Sequence, residues 1–220
     1  MSLETLDFAD PFFTVKYIID EPEIIITERS IVLNIAESPL YIAGMWLAPF
    51  QSIIAKDITL YNVEKCVLVE RFDDFEDENV LLEKVRGTWP LAYEIRREER
   101  LKGVGHYMSP KNTVGNIQFS MYHASTVPLN VGLHKNHVHL GGEEPQEVHT
   151  QIVGFGKMQQ CREKDISTLF LEETMAPGCT HKPMFDAELN YPWHQYETIT
   201  PGIFMAIEIL TSGNPIPSQR

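Results

Sequence analysis

The run Gly132-Leu-His134-Lys-Asn-His137-Val-His139 is followed by Glu147-Val-His149-Thr-Gln151-Ile-Val-Gly154 and then by Pro177-Gly-Cys-Thr-His181. With His194, these stretches hold six of the eight histidines of the chain. On an extended strand side chains alternate between two faces, so His137 and His139 point the same way. Neutral imidazoles with a carboxylate suit a divalent Zn, Fe, Mn, Ni or Cu ion. By the same period of two, Glu147, His149 and Gln151 share a face. An inward-facing stripe of that polarity needs ligands or water to satisfy it. A bulge that shifted the register would instead turn His149 to solvent.

The surrounding sequence reads as strands. Segments rich in Ile, Val, Thr, Tyr and Phe are punctuated by Pro, Gly, Asn and Asp, as in many short strands joined by turns. Expected strands in the first half are 13–19, 23–27, 31–35, 41–47, 58–61 and 66–72. In the second half they are 115–124, 131–139, 148–154, 157–161, 168–175, 180–185, 194–198 and 203–209. Two short helices are expected, over 77–83 and 91–101, with Gly87-Thr-Trp-Pro90 interrupting between them. The charged run 94–102 and Gly103-Val-Gly105 suggest a division of the chain into three. Residues 1–110 form a β-rich N-terminal extension, residues 111–213 a unit carrying the histidines, and residues 214–220 a frayed tail.

These residues resemble the first motif of the cupin superfamily, in which Gly, a few residues, His-X-His, three or four residues, Glu, six residues and Gly succeed one another. Gly132 precedes His137 with four residues between, and Glu147 stands seven positions before Gly154. The departure is the seven-residue gap between His139 and Glu147, which implies a longer hairpin. Glu143 and Glu144 fit the shorter gap but lack the step to a glycine. Pro177-Gly178-Cys179-Thr180-His181 is similar to the second motif, with Phe185 where an Asn is usual. The resemblance covers about half of the chain. It implies an all-β fold, a cupin-type jelly-roll barrel (double-stranded β-helix), with the N-terminal extension as extra strands or a degenerate second cupin. It also implies one divalent transition metal (Zn, Fe, Mn or Ni) on His137, His139, Glu147 and His181, and, by analogy, a homodimer.

His149 and His194 are the candidate catalytic residues, as imidazoles able to move a proton near neutral pH. Gln151, Tyr191, Trp193 and Tyr196 are candidate substrate contacts. The run Tyr191-Pro-Trp-His-Gln-Tyr196 either lines the barrel mouth or plugs one end. Cys179 shares the strand face of His181 and reads as a small buried filler. His134 reads as a rim residue. The stretch Glu147 to Gln159 also resembles the cupin portion of aldos-2-ulose dehydratase enzymes. The expected function is isomerisation, epimerisation or dehydration of a small, sugar-like substrate by Lewis-acid and histidine acid–base chemistry. An Fe(II) dioxygenase and a non-catalytic metal- or metabolite-binding cupin are the alternatives.

Composition narrows the partners. A hydrophobic fraction of 43% and a charged fraction of 22% are those of an ordinary globular chain. The net charge of −13 disfavours nucleic acid and anionic membranes. Three cysteines make no disulfide framework, and the N-terminus lacks a secretory pattern, so the expected location is cytoplasmic. Phosphate-loop, dinucleotide-fold and serine-elbow motifs are absent from the sequence.

Overall fold

The computed structural model describes residues 2–125, 132–135, 137, 143–213 and 215–216. Its elements in chain order are β1 (Ser2–Leu6), β2 (Thr14–Ile26), β3 (Ser30–Asn34), β4 (Leu40–Ile42), β5 (Met45–Leu47), β6 (Ser52–Ala55) and β7 (Ile58–Glu70). Helices α1 (Glu78–Thr88) and α2 (Ala92–Arg96) and a 3-10 turn (Glu99–Leu101) follow. The second half contains β8 (His106–Met108), β9 (Asn112–Val114), β10 (Ile117–Ala124), β11 (Gln146–Val153), β12 (Gly156–Cys161), β13 (Leu169–Met175), β14 (Trp193–Thr198) and β15 (Gly202–Ile209). No helix among the described residues is long and apolar enough to cross a membrane.

The strands form three larger antiparallel sheets. The first has the order β1-β2-β7-β3-β6; the second β11-β15-β10-β8, with β9 also paired to β10; the third β13-β12-β14. The second sheet lies in the middle, and this explains its sequence. Every residue of β10 is buried, because each face meets a different partner. One face, with Ile117, Phe119, Met121, Val148, Met205 and Ile207, packs on Val15, Tyr17, Leu33 and Val67 of the first sheet. Phe119 meets Phe8 and Tyr17 at ring-centroid distances of 6.1 and 5.7 Å. The other face, with Tyr122, Phe204 and Ala206, packs on Met158 and Tyr196 of the third sheet. The polar stripe lies in this second space, between the middle and third sheets.

Residues on both sides of position 110 therefore share one hydrophobic core, and β8 pairs with β10 across it. The strands expected separately at 13–19 and 23–27 are one strand, β2, paired along its length with β7. Asp20 and Asn62 absorb the irregularity with φ of 52° each, a conformation that short Asx side chains tolerate. Helix α1 runs through Gly87 and ends at Thr88, with Asp77 accepting the Asn79 N–H at its start. The expected helix 91–101 breaks at Arg97, which takes a left-handed φ of 57°. The expected strand 180–185 shrinks to a single bridge between Thr150 and Thr180. Within the expected tail, Ile216 is buried beside Leu210 and donates its N–H to the Gly115 carbonyl.

Candidate metal centre

Strand β11 keeps its register through the polar stripe. Glu147 lies opposite Glu208, His149 opposite Ala206 and Gln151 opposite Phe204, and the bulge comes only after Gln151. Glu147, His149 and Gln151 therefore face the interior together, and all three are buried. Gly154 then turns the chain at φ 71°, where a Cβ would lie 2.5 Å from the Pro201 carbonyl oxygen. The six-residue step from Glu147 to a glycine thus marks the end of the strand that carries the stripe.

From the facing sheet, β14 contributes His194. Its backbone exchanges two hydrogen bonds with His134, at 3.0 and 2.9 Å, which draws the 132–135 segment against the third sheet. His134, His137 and His194 come together, their candidate ligand atoms all within 4.8 Å of one another. His137 Nε2 lies 3.1 Å from His194 Nε2 and 2.8 Å from Glu147 Oε2. Octahedral ligands at metal distances of about 2.1 Å would sit about 3.0 Å apart along an edge. These donor atoms have that spacing.

The hydrogen bonds on the outer ring nitrogens fit the same purpose. His137 Nδ1 lies 2.8 Å from Glu144 Oε1, which also accepts the His137 N–H at 2.7 Å. His194 Nδ1 lies 2.9 Å from the Pro192 carbonyl, and His134 Nδ1 lies 3.3 Å from that of Gly132. An oxygen acceptor at each Nδ1 selects the tautomer with hydrogen there and leaves the Nε2 lone pair for an ion. The donor set fits a divalent transition metal.

Electrostatics draw the group tight. Burial alone would raise the Glu147 carboxyl, but the charges of His137 and His149 and their hydrogen bonds hold it well below the usual range. Burial would lower His137, yet Glu147 and Glu144 outweigh it and push it up to about 9. Burial, reinforced by His137, lowers His194 to about 4. Burial also holds His134 well below its ordinary value.

Of the four ligands expected from sequence, His137 and Glu147 lie in the group, and His139 lies outside the described residues. His181 is placed elsewhere. Its Nε2 accepts the His149 backbone N–H at 3.0 Å, while its Nδ1 lies 2.7 Å from the Lys182 carbonyl. Both ring nitrogens serve the backbone, so His181 fastens the 178–181 segment to β11. His134, expected at the rim, and His194, expected as a proton carrier, occupy the centre instead. Each approaches across a contact that strand periodicity does not encode.

His149 Nε2 lies 3.1 Å from Glu147 Oε1, and its Nδ1 is buried without a hydrogen-bond partner among the described residues. A small cavity adjoins the group, with a free volume of about 40 Å³. His149, Tyr196, His106, Arg96 and Arg100 are among the side chains that line it. Gln151, Tyr191 and Trp193 are not among them. Tyr196 donates its hydroxyl to Gln151 Oε1 at 2.7 Å, and Gln151 donates to the Val153 carbonyl. The Tyr191 hydroxyl accepts the Glu147 N–H and donates to the Pro145 carbonyl, at 2.8 and 2.7 Å, which sets the entry into β11. Lys164 lies over the Trp193 ring, 5.6 Å from its centre. Cys179, expected as a buried filler, is exposed. Sequence patterning does not single out Arg96 and Arg100, whose only signal is a charged run.

No protein-family model matches the chain, and no curated protein matches it. Several solved structures do. A salicylate 1,2-dioxygenase from Pseudoaminobacter salicylatoxidans, in an adduct with gentisate, is 8% identical over 90% of this chain and 68% of that one, with a TM-score of 0.36. A mutant oxalate decarboxylase of Bacillus subtilis is 10% identical over 89% and 68%, also at 0.36. An 11S globulin from Wrightia tinctoria is 9% identical over 92% and 75%, at 0.35. These likenesses are loose. Glu147 on β11, His137 beside it and His134 and His194 at the facing sheet thus form a group of side chains that could hold a metal ion.

Proposed function

We propose that the protein is a metal-dependent enzyme that isomerises, epimerises or dehydrates a small oxygenated substrate. The convergence of ligand atoms from His134, His137 and His194 beside the Glu147 carboxylate, with each His Nδ1 near an oxygen acceptor, supports this reading. A divalent ion held by His134, His137, His194 and Glu147 would supply Lewis acidity toward a carbonyl or hydroxyl oxygen.

The chain's own residues do the rest. His149 places Nε2 3.1 Å from Glu147 Oε1 and leaves a buried Nδ1 without a partner among the described residues, positioned to take a proton from a carbon made acidic beside that oxygen. Phe204 and Tyr196 surround the cavity with apolar surface and limit water. A volume of about 40 Å³ holds about three or four waters at about 10–15 Å³ each. That size favours a short keto or hydroxy compound over an intact hexose. The exposed apolar edge of β13, at Leu169, Phe170 and Leu171, supports the expected homodimer.

Elemental mass spectrometry on protein purified without chelator or added metal tests the centre. Near-stoichiometric zinc, manganese or nickel, lost in His137→Ala/His194→Ala, is the expected result. Metal content equal to that control, with no uptake on reconstitution, would sink it. Turnover on short keto and hydroxy compounds unchanged in His149→Gln would remove the proton-transfer role. The same donor set also suits Fe(II), so near-stoichiometric iron with substrate-dependent oxygen uptake would favour the dioxygenase reading.

A further inference from the structure

The cavity beside the histidine group is lined by two guanidinium groups, an unusual choice for a substrate that is merely hydroxylated. Arg96 ends α2, and Arg100 follows within the 3-10 turn. Glu98 between them holds both, its Oε1 2.6 Å from Arg96 Nε and its Oε2 2.7 Å from Arg100 Nε. Arg96 Nη1 also donates to the Tyr122 hydroxyl at 3.2 Å. The clamp fixes the two arginines against each other, and Arg96 still has its Nη2 to offer. Such planar forks match a carboxylate better than a neutral hydroxyl.

Charge points the same way. The chain carries a net −13, yet among the described residues two guanidinium groups, Arg96 and Arg100, line the cavity beside Glu147. His106 supplies an independent observation. It lines the same cavity, is only 5% exposed, stacks on Tyr122 with a ring-centroid distance of 5.1 Å, and has a buried Nδ1 without a partner among the described residues. A buried ring nitrogen beside a small cavity calls for a polar ligand.

We infer that the substrate is a small carboxylate, its carboxyl group received by Arg96 and Arg100 and its reacting oxygen turned toward the histidine group. This rests on the enzymatic reading above and names its substrate class.

Calorimetric titration of the full chain with glycolate, and with the neutral glycolamide as its matched partner, tests this in both metal-stripped and manganese-loaded protein. Glycolate should bind at least tenfold tighter than glycolamide, in stripped protein as well as loaded. Arg96→Gln and Arg100→Gln should each erase most of that preference. Arg96→Lys keeps the charge facing Glu98 and guards against a folding failure; it should retain a preference reduced several-fold. Equal binding of glycolate and glycolamide, or a preference untouched by Arg96→Lys and Arg100→Gln together, would overturn the inference. Inorganic phosphate binding as tightly as glycolate would also overturn it. Anion preference in a chain that retains no metal would sink the metal reading and leave this one standing. Metal uptake without anion preference would do the reverse.

Discussion

Glu144 Oε1 accepts both the backbone N–H and the Nδ1–H of His137, at 2.7 and 2.8 Å. One carboxylate oxygen thereby fixes where His137 sits in the chain and which ring nitrogen faces the centre. Such outer carboxylates set ligand orientation and basicity, and their loss typically costs about 10–100-fold in metal affinity. Glu144→Gln should weaken metal binding within that range, as read by competition with a chelator of known affinity. Glu143→Gln, whose exposed side chain meets Ser212 instead, should leave the affinity unchanged. Equal effects from the two would remove the orienting role.

His181 makes a contrary prediction. Because its ring caps the His149 N–H and binds the Lys182 carbonyl, His181→Ala should leave metal stoichiometry intact while lowering stability. An orphaned buried backbone donor costs about 1–3 kcal/mol, and a lower denaturant midpoint at unchanged slope would show it. His134→Ala should do the opposite, losing metal with a smaller fall in midpoint. Metal loss in His181→Ala with an unchanged midpoint would restore His181 as a ligand.

What is legible of the site in sequence is local. Period-two alternation is a property of a single strand, so the shared face of Glu147, His149 and Gln151 follows without knowledge of the rest. Gly154 is legible because its positive φ and its close approach to Pro201 belong to the turn itself. His134 and His194 are another matter. Sixty positions separate them, and only the backbone bridge between their segments brings the rings together. Arg96 and Arg100 look like a charged helix face, and only the break at Arg97 and the shared clamp on Glu98 turn them toward the cavity. The continuous β2 reads as two strands because Asp20-Glu21-Pro22 has the composition of a turn. Its pairing with β7 on both sides of that tripeptide overrides the composition.

Acid should destabilise the metal-stripped protein in a definite window. Burial, reinforced by Arg96 and Arg100, lowers His106 to about 3, and burial with His149 lowers His181 to about 3. Both folded values lie below the ordinary 6.5 of a histidine in the unfolded chain, so the unfolded state binds the extra protons. Their contribution to stability is fully present above about pH 6.5 and is lost as pH falls toward about 3. Each group accounts for about 1.4 kcal/mol per pH unit across that interval. Urea denaturation of His106→Phe at about pH 7, 6 and 5 should show a pH slope shallower by close to one proton. A slope identical to that of the parent chain would mean His106 titrates normally in the folded state.

Gly154→Ala should damage the site without touching a ligand. At φ 71° an alanine is already strained, and its Cβ would meet the Pro201 carbonyl oxygen at 2.5 Å and the Gly202 Cα at 2.9 Å. Both obstacles are backbone, in the turn that leads into β15, so neither can swing aside as a side-chain tip would. Left-handed strain at a non-glycine residue costs about 1–3 kcal/mol, and the clash adds to it. Relief requires β11 and β15 to separate at the end of the ladder that holds Glu147 opposite Glu208. The expected outcome is a loss of more than about 2 kcal/mol in denaturant unfolding, together with weaker metal retention. Gly213→Ala serves as the control, since a Cβ there meets nothing within 4 Å although φ is also positive, at 69°. It should cost only the backbone strain and leave metal retention unchanged. Equal losses in the two variants would show that φ alone, and not the approach to Pro201, makes position 154 a glycine.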